Sequence, residues 1–95
     1  MAVTVTIPMP LRALTGGKGK IALEAATLQD LIEKLERQHP GLKERLCEDD
    51  GSFRHFINIY LNDEDIRFLQ GADTALKDGD EVAIVPAIAG GLPGR

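Results

Sequence analysis

The sequence predicts an α+β fold in which one main helix packs across a mixed sheet of five short strands. Three observations carry that expectation. Val3, Val5 and Ile7 alternate with Thr4 and Thr6, the period-two pattern of a strand with one buried face. Leu28, Leu31, Ile32 and Leu35 fall at i, i+3, i+4 and i+7, which lines one side of a helix with apolar groups. Val82-Ala83-Ile84-Val85 is continuously apolar, as suits a central strand covered on more than one side.

The first strand ends at Pro8 and Pro10, since proline cannot donate to a ladder. Residues 11–14 lead into the turn Gly16-Gly17-Lys18-Gly19, and residues 20–24 form a second strand antiparallel to the first. Thr27 is a helix N-cap, and Asp30 in the first turn suits the helix dipole. Glu33, Lys34, Glu36 and Arg37 take the solvent side, and Pro40-Gly41 stops the helix. Residues 42–47 add a short helical turn, and residues 48–52 are a loop. Residues 56–61 are a third strand, rich in β-branched and aromatic groups. Residues 62–65 form a polar turn, residues 66–68 a short returning strand, and residues 69–76 an irregular stretch. Lys77-Asp78-Gly79-Asp80 turns tightly into the last strand, which lies beside the first and parallel to it. The resulting order, β-β-α-β-β-β, is the β-grasp arrangement of ubiquitin-like folds. It divides the chain into a domain at residues 1–89 and a flexible tail at residues 90–95, where Gly90-Gly91 is followed by Leu92-Pro93-Gly94-Arg95.

Ninety-five residues suit one small domain, and 43% hydrophobic with 27% charged residues is an ordinary globular balance. No apolar run reaches membrane-spanning length, so no membrane association is expected. The N-terminus lacks the basic-then-apolar pattern of a secretion signal. A single cysteine, Cys47, rules out an internal disulfide and fits a reducing cytoplasm. The net charge of −4 argues against nucleic acid, because phosphate binding needs clustered Lys and Arg. Lys18 and Lys20 flank a glycine turn, and Lys43 and Arg45 flank Glu44, without forming a stripe. An acidic domain suits a basic patch on a protein partner.

Residues for catalysis are scarce, and the chain reads as no enzyme. His39 and His55 lie far apart, and no Cys or His recurs at metal-ligand spacing, so no metal site is expected. His39 reads as a helix C-terminal residue, His55 as a surface residue at a strand entry, and Cys47 as a small structural cysteine. Asp63, Glu64 and Asp65 lack the contrasting environments of an acid/base pair and the spacing of a calcium loop; a solvated turn is the better reading. Gly16-Gly17-Lys18-Gly19 lacks the Ser or Thr of a phosphate loop and reads as a hairpin turn. Gly90-Gly91 remains. A thread without side chains can enter a channel too narrow for any Cβ. A terminal glycine carboxylate there could be converted by ATP to an acyl-adenylate, from which sulfur displaces AMP to give a thiocarboxylate.

Val3 to Pro8, Leu11-Arg12 with Thr15-Gly16-Gly17, residues 58–68, and the ending from Asp78-Gly79-Asp80 through Gly91 together resemble the ThiS/MoaD sulfur-carrier family, most nearly its cysteine-biosynthesis branch. The resemblance spans nearly the whole chain up to Gly91. It implies a cytoplasmic carrier with no catalytic centre and no bound cofactor. An E1-like adenylating and sulfur-transferring enzyme would use ATP to activate Gly91, with Ala89 and Gly90 threading the tail. A PLP-dependent cysteine synthase would accept the sulfur, and a zinc-dependent JAMM-type metallopeptidase would release the product. The tail departs from the family pattern, because such carriers end at Gly-Gly while Gly91 here is tied by an amide to Leu92. An amide carbonyl offers no oxygen anion to attack ATP, so cleavage between Gly91 and Leu92 is expected first.

Tyr60, Arg67, Phe68 and Pro86 are candidates for partner docking, with Asp63, Glu64 and Asp65 as acids that could steer a basic partner. Other readings keep the fold and change the role: a carrier for molybdopterin or thiamine synthesis, a modifier joined to lysines, or a binding module with an inert tail.

Overall fold

The computed structural model describes residues 2–50 and 52–86. The candidate site positions Ala89, Gly90, Gly91 and Leu92, and with them the proposed boundary between domain and tail, lie outside the described residues.

Alternation at the start of the chain produces β1 (Ala2–Thr6), which pairs antiparallel with β2 (Lys20–Glu24). Between them the chain makes a 3-10 stretch at Met9–Thr15, entered through Pro8 and left through Gly16, whose φ of 68 a glycine adopts without strain. Helix α1 (Leu28–Gln38) starts as its sequence demands. The Thr27 hydroxyl accepts the Asp30 N–H at 3.1 Å, and the Asp30 carboxylate accepts the Ala26 N–H at 3.1 Å. The helix stops at His39, and a short α2 (Leu42–Leu46) follows. Then come β3 (Ile57–Leu61), β4 (Glu64–Asp65) and β5 (Glu81–Pro86).

The strands form one sheet in the order β2-β1-β5-β3-β4. The last strand lies beside the first, parallel to it, and antiparallel to β3 on its other side. This is the mixed five-stranded β-grasp sheet that the sequence predicts. One face buries Val3, Val5, Ile21, Leu23, Ile57, Ile59, Val82 and Ile84, which share a core with Leu28, Leu31, Ile32 and Leu35 of α1 and with Leu42 and Leu46 of α2. Each fully buried aliphatic side chain contributes about 2 kcal/mol of transfer free energy.

The fourth strand departs from expectation. It occupies Glu64–Asp65 rather than residues 66–68, which form a 3-10 turn instead. Asn62 and Asp63 both adopt positive φ, 51 and 73, so the chain reverses in two residues and pairs again at once. The Asp65 side chain then accepts the Arg67 N–H and bends the chain out of the strand.

Candidate functional site

Because β5 is central, its side chains are divided between two environments. Val82 and Ile84 enter the core, while Ala83 and Val85 lie on the other face. On that face Ala83 stands level with Thr6 of β1 and Tyr60 of β3, Tyr60 stands level with Asp65, and Val85 stands level with Asn58. Val85 remains 41% exposed, and Asn58, Tyr60 and Ala83 are half-buried.

Arg67 crosses this face from the turn after β4. Its Nε donates to both Asp65 oxygens at 3.1 Å, and its Nη2 donates to Asp65 Oδ2 at 2.6 Å and to Asn58 Oδ1 at 3.1 Å. These charge-assisted bonds hold the Asp65 carboxyl below the ordinary carboxylate range and push Arg67 up. The Asp65 side chain is only 10% exposed, so this acid is not the exposed turn residue that its neighbours suggested. Phe68, the next residue, is 81% exposed.

The candidate docking residues are thus partly gathered. Tyr60, Asp65 and Arg67 share the free face, and Phe68 follows them, exposed, in the turn after β4. Pro86, paired with Ile57, sits where β5 ends, lining a groove of about 450 Å³ with Pro10, Leu11, Phe56 and Ile57. Asp63 and Glu64 sit at the opposite end of the strands, beside Leu61 and Val82. Asn58 and Val85 are further members of the face that the sequence reading missed. The signal for Asn58 was a lone amide in an otherwise apolar strand; Val85 was hidden in a run that looked buried throughout.

Cys47 is buried, and desolvation pushes its thiol up despite nearby Lys43, which fits a packing role. Among the described residues no group of three or more His, Cys, Asp or Glu could hold a metal ion, and no helix is long and apolar enough to cross a membrane.

The ThiS family pattern matches residues 5–91. The chain is 47% identical over 93 residues to the sulfur carrier protein CysO of Mycobacterium tuberculosis, covering 96% of this chain and 100% of that one. It superimposes on a chain of the Amycolatopsis orientalis BexX/CysO complex with a TM-score of 0.88 and 44% identity, covering 93% of this chain and 98% of that one. It is also similar to small archaeal modifier protein 3 of Haloferax volcanii, 41% identical over 66 residues, 70% of this chain and 71% of that one. A β-grasp sheet crossed by one main helix defines a small ubiquitin-like protein. Within that class, the chain belongs to the ThiS family.

Proposed function

We propose that this protein is a sulfur carrier whose working atom is the carbonyl carbon of Gly91. The observation that carries this reading is the 47% identity, over nearly the whole chain, to CysO. The family match also ends at Gly91, leaving residues 92–95 outside it.

A peptidase first cuts the Gly91–Leu92 amide and frees the carboxylate; a zinc-dependent JAMM-type enzyme suits this step. On an E1-like partner the carboxylate oxygen attacks the α-phosphorus of ATP, and pyrophosphate leaves. A sulfur nucleophile then attacks the acyl carbon and AMP leaves, giving the thiocarboxylate by ordinary covalent catalysis. The sulfur serves cysteine biosynthesis, passing to an activated serine on a PLP-dependent synthase. ATP, PLP and zinc thus belong to the partner enzymes. The carrier supplies position. Gly91 stands five residues beyond Pro86, a reach of at most about 17 Å, so a partner holding the domain by its free face brings the acyl carbon within one channel length. Tyr60, Arg67, Phe68 and Pro86 are the docking groups in this reading, with Asn58 and Val85 beside them.

The test incubates the chain truncated after Gly91, and the full chain, with ATP, an E1-like enzyme and a sulfur source. Mass spectrometry should show one oxygen-to-sulfur exchange only in the truncated form. The reading is overturned if native protein active in sulfur transfer retains its mass through Arg95. Its similarity to a small archaeal modifier gives a second reading, in which Gly91 is joined to lysines; Gly-Gly remnants on target lysines, with no thiocarboxylate, would establish that instead.

A further inference from the structure

The topology sorts the charged side chains to opposite ends of the sheet, and only one of those ends surrounds the place where β5 runs out. Because β1 and β5 are parallel, the residues that follow β1 and precede β2 lie at the Pro86 end. The Ile7 N–H bonds to the Gly19 carbonyl there, and Arg12 reaches back to the Ile7 carbonyl at 2.9 Å. Lys18 and Lys20 project from the same turn and are exposed. Arg45 of α2 and Arg54 before β3 line the groove that Pro86 closes. Five cations therefore ring this end: Arg12, Lys18, Lys20, Arg45 and Arg54. Two acids temper them, Glu48 paired with Arg54 at 3.0 Å and Glu44 on the groove wall. Among these seven groups the cations outnumber the acids by three, in a protein of net charge −4; Glu36, Lys43 and Asp49 line the adjoining groove with Glu44 and Glu48.

The other end is acidic. Glu24 stands opposite Ala2, Glu81 opposite Thr4, and Glu64 opposite Leu61. Asp78 takes the Ala2 N–H, Asp80 takes the Asn62 amide, and Asp63 sits in the turn between β3 and β4. Two cations temper these six acids: Lys77, and Lys34, whose Nζ donates to the Glu24 carbonyl at 2.7 Å and pairs with Asp30 at 3.4 Å. The ends are about 17 Å apart along β5, roughly two screening lengths at physiological ionic strength. Each end therefore presents its own sign to a partner, and the overall negative charge describes only one of them.

We infer that the basic collar of Arg12, Lys18, Lys20, Arg45 and Arg54 is a docking surface for an acidic protein rim surrounding the channel that receives the C-terminal tail. A long polyanion such as nucleic acid would meet the acidic end as well and be repelled; a compact acidic rim meets the collar alone. The acids Asp63 and Glu64 then lie away from the channel and do not steer the tail. This inference rests on the sulfur-carrier reading for the identity of the partner, the E1-like adenylating enzyme.

The test measures association of the full chain with the E1-like enzyme of the same organism by stopped flow, at about 0.02 M and about 0.15 M salt. Lys18→Glu with Lys20→Glu should slow association about tenfold at low salt and flatten its salt dependence. Glu64→Lys with Glu81→Lys should leave the rate within about twofold. Thermal melts of both variants confirm folding, since all four side chains are exposed. Equal effects from the two ends, or a larger one from the acidic end, overturn the collar. If neither the full chain nor the chain ending at Gly91 binds the enzyme, the sulfur-carrier reading fails instead, and the collar loses its partner with it.

Discussion

Strand β5 is fixed differently at its two ends. Where it begins, side chains and backbone tie it from three directions. Asp80 accepts the Lys77 N–H at 2.7 Å and the Asn62 amide at 3.0 Å, while Asn62 accepts the Glu81 N–H at 3.0 Å. The N-terminal strand joins the same knot through Ala2 N–H to Asp78 at 3.0 Å and Thr4 N–H to the Asp80 carbonyl at 3.0 Å. Where it ends, none of residues 82–86 takes part in a side-chain hydrogen bond among the described residues, and Pro86 has no N–H to give to a ladder. A carrier needs this asymmetry. The knot sets the register of the strand, so Pro86 stands at a fixed point of the sheet, and among the described residues no side-chain hydrogen bond there has to be broken when a partner takes hold of it.

The largest effect should come from the middle of the strand, which both ends depend on. Ile84 is 2% exposed and faces Ile59 across the ladder. Ile84→Ala should cost about 3 kcal/mol, the lost transfer free energy plus the cavity left behind, read from the urea midpoint at unchanged m-value. A cost below about 1 kcal/mol would mean that the core collapses around the site and that β5 is not the element organising it.

The comparison of the two ends is sharpened by a pair of substitutions. Asn62→Ala removes two hydrogen bonds of the knot and leaves a Cβ residue at φ 51 without its local support, for a cost of about 2 kcal/mol. Asn62→Gly relieves the backbone strain and should recover about half of it. At the other end Phe56 is 43% exposed, stacked edge-on against His55, and Phe56→Ala should change stability by less than about 0.5 kcal/mol. If the two ends respond equally in urea unfolding, the asymmetry is only one of hydrogen-bond geometry and has no energetic weight.

How much of this was legible in the sequence follows from which contacts are local. The α1 stripe, the Thr27 cap and the alternation of β1 depend on neighbours within a few residues, and each occurs where the spacing puts it. The parallel pairing of first and last strands was legible too, because a chain this short leaves a central apolar strand few other places. The fourth strand was misplaced because Ile66-Arg67-Phe68 imitates alternation, while the turn that matters is set by positive φ at Asn62 and Asp63, which no pattern of hydrophobicity encodes. Asp65 was read with its acidic neighbours, although its partner Arg67 is two residues on and the other acceptor that Arg67 holds, Asn58, lies on a different strand. The separation of charge was invisible for the same reason: only the sheet brings Lys18 to the end where β5 stops, and only the groove brings Arg54 beside Pro86. The family itself was legible in the residues from Asn58 to Phe68 and from Asp78 to Gly91.

The smallest predicted effect concerns the ion pair on the free face, midway between the two ends. The bonds that Asp65 accepts from Arg67 are stronger when it is ionised, so its carboxyl titrates lower in the folded chain than its ordinary value of 3.8. A group with a lowered folded pKa contributes stability above its unfolded pKa and loses it as pH falls through the folded one. Arg67→Met should therefore reduce stability modestly at neutral pH, because an ion pair with one exposed partner contributes little. The difference from the unaltered chain should shrink as pH falls from the ordinary carboxylate range and vanish in stronger acid. Arg67→Lys, which keeps the charge without the fork, should lie between the two. Chemical unfolding at a series of pH values reads this directly. A difference that persists unchanged into acid would show that Arg67 acts by covering Tyr60 and Asn58 rather than by pairing with Asp65, and the free face would then be held together by packing alone.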